Sequence, residues 1–300
     1  MFRNVRLYRL HSPWPDSEEA LDRQLSHAAF KPCGTFSERS AGFEPPGDQA
    51  DASLARRVGG ADLIRLRVQS RILPAAAVNE ALETRLEEFR QRTERDPGRN
   101  ERRQLKEEVQ AELMPKTLLK SQRIHGFCLY TEPENERLIG IEAANEAQAE
   151  LFLDSLRNAL GRLLVTPLAF KQPIGTLLTK VFLGQGPPNF LAGRECRMED
   201  PAAGRASVSW QDIDLVDHDV RKHVLNGLKL TRLAVEFDDM LSCVIDHEGV
   251  IRKLRFQRAD AVDEVVDENL LAQLDADTVM TTGGLRHFVG ALKKLLAGFD

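Results

Sequence analysis

"LKEEVQAELMPKTLLKSQR", Leu105 to Arg123, changes character at Pro115. Before it, Leu105, Val109 and Leu113 recur four apart among glutamates, the spacing of an amphipathic helix. After it, Lys116, Lys120 and Arg123 form a basic strip. Proline has no N–H to donate and pushes the residue before it out of the helical region, so the helix stops there.

The stretch before it reads the same way. "LPAAAVNEALETRLEEFRQRTERD", starting at Leu73, places Val78, Leu82, Leu86 and Phe89 on one helical face, with Pro74 near the first turn. "DPGRN" (96–100) breaks the pattern, and a second helix resumes at about Asn100. Two such helices in sequence predict a helical hairpin over 74–119. Its first helix, about 20 residues long, would span roughly 30 Å. That is as long as a small domain is wide, so the hairpin is expected to project as an arm.

The flanks predict an α+β fold of antiparallel sheets with packed helices. "VRLYRL" (5–10) and "LIRLRV" (63–68) alternate as strands. "DSEEALDRQLSHAAF" between them suits a helix capped by Asp16 or Ser17. Residues 34–60 suggest a long loop with a short strand. Past the hairpin come strands at 124–131 and 137–143, joined by "EPENE", and a helix from the Asn145 cap to Gly161. Residues 184–206, rich in Gly and Pro, read as a linker or long loop. A polar helix at about 216–227 precedes a strand meander, "KLTRLAVEF", "LSCVID" and "IRKLRFQ", with a turn at Glu248-Gly249. An acidic helix (261–274), a strand "DTVMTT" (277–282) and a closing helix from Gly284 complete the chain. The domains so read are a central α+β unit (1–73 and 120–170), the arm (74–119) and a C-terminal α+β unit with a tip (171–300).

Composition narrows the function. The chain has 300 residues, 42% hydrophobic and 29% charged, with no apolar run long enough to span a bilayer. "MFRNVRLYRL" has no signal-peptide core, so the expected location is the cytoplasm. Cys33, Cys128, Cys196 and Cys243 are too scattered for a zinc or disulfide framework. No P-loop or GxSxG motif occurs, and "GQGPPN" lacks the third glycine of a phosphate loop. No metal or cofactor is expected. His218 and His223 in "DHDVRKH" are spaced five apart, wrong for two ligands on one helix face.

The basic residues carry more. Arg65 and Arg67 share a strand with Arg71 just beyond it; Lys116, Lys120 and Arg123 follow the hairpin. Lys229, Arg232, Arg252, Lys253, Arg255 and Arg258 lie on or near the meander, where alternation gathers bases on one face while the acids fall mostly at turns. A net charge of −5 does not exclude an anionic ligand, because the local field decides.

Several stretches in order resemble the RdgC family of recombination-associated proteins: "FRNVRLYRL", "AFKPCG", "GFEPP", "RILP", "LKEEVQAELMPK", "ALGRLLVTPL", "GLKLTRLAV" and "GVIRKLRF". The resemblance implies a ring-forming homodimer, closed by an arm contact and a tip contact. Double-stranded DNA would pass through it, bound without sequence preference. It implies a nucleoid location, no enzymatic activity, and restraint of the recombinase RecA, an indirect partner through the DNA. On that reading Arg65, Arg67, Arg71, Lys116, Lys120, Arg123, Lys229, Arg232, Arg252, Lys253 and Arg255 face DNA. Leu113, Pro115 and Leu118 make the arm contact. Two positions depart from the family. Leu118 stands where an aromatic is usual, and Gln211, Asp212 and Ile213 replace the Lys-Lys-Gln of a basic tip before Asp214 and Leu215. The competing readings are a protein-interaction adaptor that has lost DNA binding at the tip, and a metal-dependent hydrolase built on His218 and His223.

Overall fold

Strand β1 (Val5–Leu10) sits at the centre of the molecule because its two faces are both apolar. Val5 and Leu7 point into one core, and Tyr8 and Leu10 into another. β1 pairs along its length with β6 (Glu136–Glu142) and at Val5 with β12 (Ile251–Phe256). One antiparallel sheet therefore runs through the chain, where the sequence suggested separate sheets. The computed structural model describes residues 2–47, 53–131, 136–202, 206–257 and 270–300, without the side chain of His218. Arg258, residues 261–269 of the expected acidic helix, and most of the "EPENE" turn lie outside the described residues.

The other strands are β2 (Arg39–Glu44), β3 (Ala55–Val58), β4 (Ala61–Ile72), β5 (Leu118–Thr131), β7 (Val165–Pro167), β8 (Phe190–Glu199), β9 (Ser207–Gln211), β10 (Lys229–Phe237) and β11 (Leu241–Asp246). The sheet runs β2-β4-β5-β6-β1-β12-β11-β10-β8-β9, with β3 on β4 and β7 on β1. On one face of the first half, Ile64, Leu66, Ile124 and Ile141 pack under α1 (Glu18–Leu25) and α4 (Glu146–Leu160). Ser17 and Asn145 cap these helices as expected, each accepting a backbone N–H of the first turn. The second core unites Val5, Leu63 and Phe127 with the meander's Leu233, Phe237 and Leu254. It lies beneath α5 (Ile174–Phe182) and α7 (Leu270–Leu295), through residues such as Phe182 and Phe288, while α6 (His218–Leu225) is the polar helix expected before the meander.

Three expectations need correcting here. "DTVMTT" is not a strand but part of α7, a helix of 26 residues. Its β-branched residues favour strands by propensity, but burial decides. Thr278 and Thr282 are buried, and their hydroxyls donate to carbonyls four residues back, at 2.7 Å each. Gly284, read as a helix start, lies mid-helix, and it is glycine because a Cβ there would come within 2.3 Å of Phe256 Cε1. The supposed loop 184–206 holds β8, whose Cys196 and Met198 point inward between Glu195, Arg197 and Glu199. The stretch 34–60, expected as a long loop with a short strand, holds two strands, β2 and β3.

Helices α2 (Ala75–Thr93) and α3 (Arg99–Leu113) form at the predicted positions, joined by residues 94–98. Val78, Leu82, Leu86 and Val109 are buried, and Arg85 bridges to Glu112 at 2.9 Å. At the turn, Glu101 accepts the Gly98 N–H at 2.8 Å and pairs with Arg95 at 2.6 Å.

Candidate nucleic-acid interface

Period-two alternation on β4 puts Leu63, Arg65, Arg67, Gln69 and Arg71 on one face. Leu63 points into the second core, and the arginines continue the same face beyond it. On β5, His125 lies opposite Arg65, Arg123 opposite Arg67, Ser121 opposite Gln69 and Leu119 opposite Arg71. On β2, Glu44 lies opposite Arg65 and Gly42 opposite Arg67. Glu44 therefore sits among three guanidinium groups: Arg123 at 2.8 Å, Arg65 at 3.0 Å and Arg67 at 3.5 Å. Arg67 also donates to Ser121 Oγ at 3.2 Å and stacks on the Phe30 ring, 4.5 Å from its centroid. Residue 42 is glycine because the Phe30 backbone would be 2.4 Å from any Cβ there. Among the described residues, the cluster carries three cations against one carboxylate. Beside it, His125 meets Glu142 at 3.0 Å.

Arg71 is engaged differently. Its guanidinium donates to the carbonyls of Met114, Thr117 and Gly34 at 3.3, 3.4 and 3.0 Å. It thereby ties the end of β4 to the exit of α3, where the helix dipole places negative potential. Lys116 is exposed, 3.6 Å from Glu112. Lys120 is exposed on β5, opposite Ser70, on the face away from Arg123. Leu113 and Pro115 are half-buried at this root. Leu118 is 79% exposed and lies directly opposite Ile72, itself 47% exposed.

The meander carries the second basic group. Arg232 lies opposite Asp246 and Arg197; Arg252 lies opposite Val244, and Arg255 opposite Ser242. These positions face away from the second core, to which Leu233, Ile245, Ile251 and Leu254 belong. The same uncovered face forms an open concavity of ≈ 410 Å³ with Arg194, Glu195, Glu236, Lys253 and Arg255 among its lining. The acids are not confined to turns: Glu236 is on β10 and Asp246 on β11. Lys253 pairs with Glu195, and Arg252 lies 3.6 Å from Asp246. Lys229 opens β10 opposite Glu199. At the expected tip, Asp212 pairs with Arg194 at 3.2 Å.

The structure thus brings together Arg65, Arg67 and Arg123, and separately Arg232, Arg252, Lys253 and Arg255. By strand alternation the two groups occupy opposite faces of one sheet. The residues that organise the first group, Glu44, Phe30 and Ser121, were not singled out from the sequence. The signal for Glu44 was its place in "AGFEPP", two residues after Gly42 on a strand hidden in an apparent loop. His223 contacts the Trp210 ring at 5.0 Å; His218's side chain lies outside the described residues. Among the described residues, no group of three or more His, Cys, Asp or Glu could hold a metal ion, and no helix is long and apolar enough to cross a membrane.

Residues 1–299 match the family described as "Putative exonuclease, RdgC". A recombination-associated protein RdgC from Halorhodospira halophila is 32% identical over 302 residues, covering 99% of this chain and 98% of that protein. One from Stenotrophomonas maltophilia is 31% identical, covering 95% and 94%, and one from Shewanella loihica is 28% identical, covering 100% and 98%. The family description names a nuclease, and the curated relatives are named for recombination. With its ordered motifs and a match along almost its whole length, the chain belongs to the RdgC family of recombination-associated proteins.

Proposed function

We propose that this chain binds double-stranded DNA without sequence preference, as a homodimer that encloses the duplex, and thereby modulates recombination without cutting DNA. The observation that carries this reading is that, among the described residues, three guanidinium groups gather on Glu44 in a chain whose net charge is −5. Such a gathering favours phosphates, and their neutralisation releases counterions. The sheet geometry supports a shared surface. Strands rotate by roughly 20–25° per step, so the six steps from β4 to β10 accumulate about 120–150° and turn opposite faces toward one side. The exposed pair Leu118 and Ile72, with Leu119 nearby, offers an apolar patch at the hairpin root for a second copy. An isologous contact there, and another at the tip, would close a two-subunit ring. On this reading the chain divides into a central unit (1–73 and 120–170), an arm (74–119) and a C-terminal unit (171–300). It resides on the nucleoid and restrains RecA by occupying DNA.

The test is duplex binding at low salt, on linear and circular DNA, with protein mass measured by light scattering. About six phosphate contacts give a log–log salt slope of roughly −5. The expected result is a dimer whose complex with circles survives challenge better than that with linear duplex. Absence of salt-sensitive binding, or shortening of an end-labelled duplex when magnesium is added, would replace this reading. Asp212 and its pairing with Arg194 favour a second reading, an adaptor whose tip contacts protein instead of DNA. A monomer or dimer without duplex affinity would support it.

A further inference from the structure

β12 is irregular at Lys253. Arg252 lies opposite Val244 and Arg255 opposite Ser242, so Lys253 and Leu254 together face the single residue Cys243. This is a β-bulge, two residues against one. Lys253 has a φ of 51°, in the left-handed region where such a bulge normally carries glycine. The other described non-glycine residues with positive φ lie outside strands and helices. Glu94 and Ala297 follow helices, Asp212 follows β9, and Asp238 and Asp239 lie in the β10–β11 turn. Lys253 alone among them is inside a strand.

The core does not call for the extra residue. Ile251, Leu254 and Phe256 pack toward the second core, while Arg252 and Arg255 face away from it. With Lys253 skipped, these five residues alternate as an ordinary strand does. The bulge therefore adds a third cation beside Arg252 and Arg255 on the uncovered face. There the Lys253 ammonium pairs with Glu195 of β8, reaching past β11 and β10. The concavity it crosses is lined by Gly193, Ala234 and Ser242, all small. The lysine side chain is 59% exposed, so its charge is reachable from solvent.

We infer that Lys253 is a contact for a DNA backbone phosphate, inserted into β12 by the bulge at a cost in folding stability. This rests on the duplex-binding reading. Strained backbone persists where the surrounding structure enforces it, and it clusters at functional sites. Here the strain results in one more exposed cation. Lysine is a compact charge on a flexible stem, which suits phosphates along any sequence. An exposed ion pair is weak, so a phosphate can displace Glu195 from it.

The experiment compares Lys253→Gly with Lys253→Ala in the full chain. Both remove the ammonium, and only the second keeps a Cβ in the left-handed conformation. In urea denaturation Lys253→Gly should have the higher midpoint. Inside a regular strand the order is the reverse, because glycine loses more freedom on folding. Fluorescence anisotropy with a labelled duplex then reads binding over a range of salt. Both variants should weaken binding several-fold at low salt, to the same extent, and make the log–log slope shallower by up to about 0.9. Lys294→Ala is the control. It removes an exposed cation from α7, on the covered side of the sheet, and should change binding far less. A midpoint for Lys253→Gly no higher than that of Lys253→Ala overturns the strain, and the inference with it. An unaltered protein that binds no duplex removes the DNA reading and this inference together. One that binds, with the Lys253 variants unchanged or no weaker than Lys294→Ala, removes only the inference.

Discussion

Two arginine-rich regions of one sheet handle their charge in different ways. Around Glu44, three guanidinium groups share, among the described residues, one largely buried carboxylate. On the meander, basic side chains have acids of their own: Lys253 has Glu195, Arg252 has Asp246, and Arg197 has Glu199 at 3.1 Å. Counting basic residues therefore misjudges a binding face. What matters is how many cations divide one acid between them, and how deeply that acid is held. The first arrangement concentrates positive potential; the second disperses it.

Truncating the acid in each region gives the largest contrast. Glu44→Ala takes this carboxylate from three guanidinium groups, with Arg65 the most buried of them, and should cost about 3–5 kcal/mol of folding stability. Glu195→Ala, which frees only the exposed Lys253, should cost under about 1 kcal/mol. Urea denaturation of both variants measures the difference. Equal losses would mean that the two regions are held in the same way.

Arg71 marks the boundary of the first region, and its removal should have an intermediate effect. Its bonds to Met114, Thr117 and Gly34 are charge-assisted, and such bonds contribute about 1.5–3 kcal/mol. Arg71→Ala should destabilise the chain by about that much and speed amide exchange at the end of α3 and the start of β5. It should change the salt slope of DNA binding far less than Arg123→Gln does. If the slope changes equally, Arg71 is a phosphate contact and not a tie at the hairpin root.

The contrast also governs what could be read in the sequence. α2, α3, α4 and the meander were legible because one face of each is apolar at a clean period. β8 was not, because Glu195, Arg197 and Glu199 alternate with only a few inward residues and a Gly/Pro stretch precedes it. "DTVMTT" misled because local propensity favours a strand, while its threonine hydroxyls and its burial beneath the sheet settle on a helix. α5 carried a legible signature that was passed over: Ile174, Leu177, Leu178, Val181 and Phe182, all buried, recur at helical spacing with Thr176, Thr179 and Lys180 between them. At the candidate site the arginines were visible as letters. Glu44 was not, because its importance comes from register: only the pairing of β2 with β4 sets it beside Arg65.

The smallest expected effect lies in the turn of the helical hairpin, a third way of holding charge, in which one exposed pair also closes a backbone turn. Glu101 accepts from Arg95 and from the Gly98 N–H, and these bonds, the Arg95 one foremost, hold its carboxyl down at about 2, against an ordinary 4.5. A carboxyl whose folded pKa is depressed adds stability that is complete above its unfolded pKa. That contribution fades as protons compete, falling through the window from 4.5 to about 2. Amides at the start of α3 should therefore lose protection progressively across that window, beyond the change shown by the sheet. Glu101→Gln keeps the shape and cannot titrate, so it should lower protection at neutral pH and flatten the acid response. Hydrogen exchange resolved along the hairpin separates this from global acid unfolding, because only the turn should respond to the substitution. An acid response at the turn that persists in Glu101→Gln would show that its protection depends on other groups.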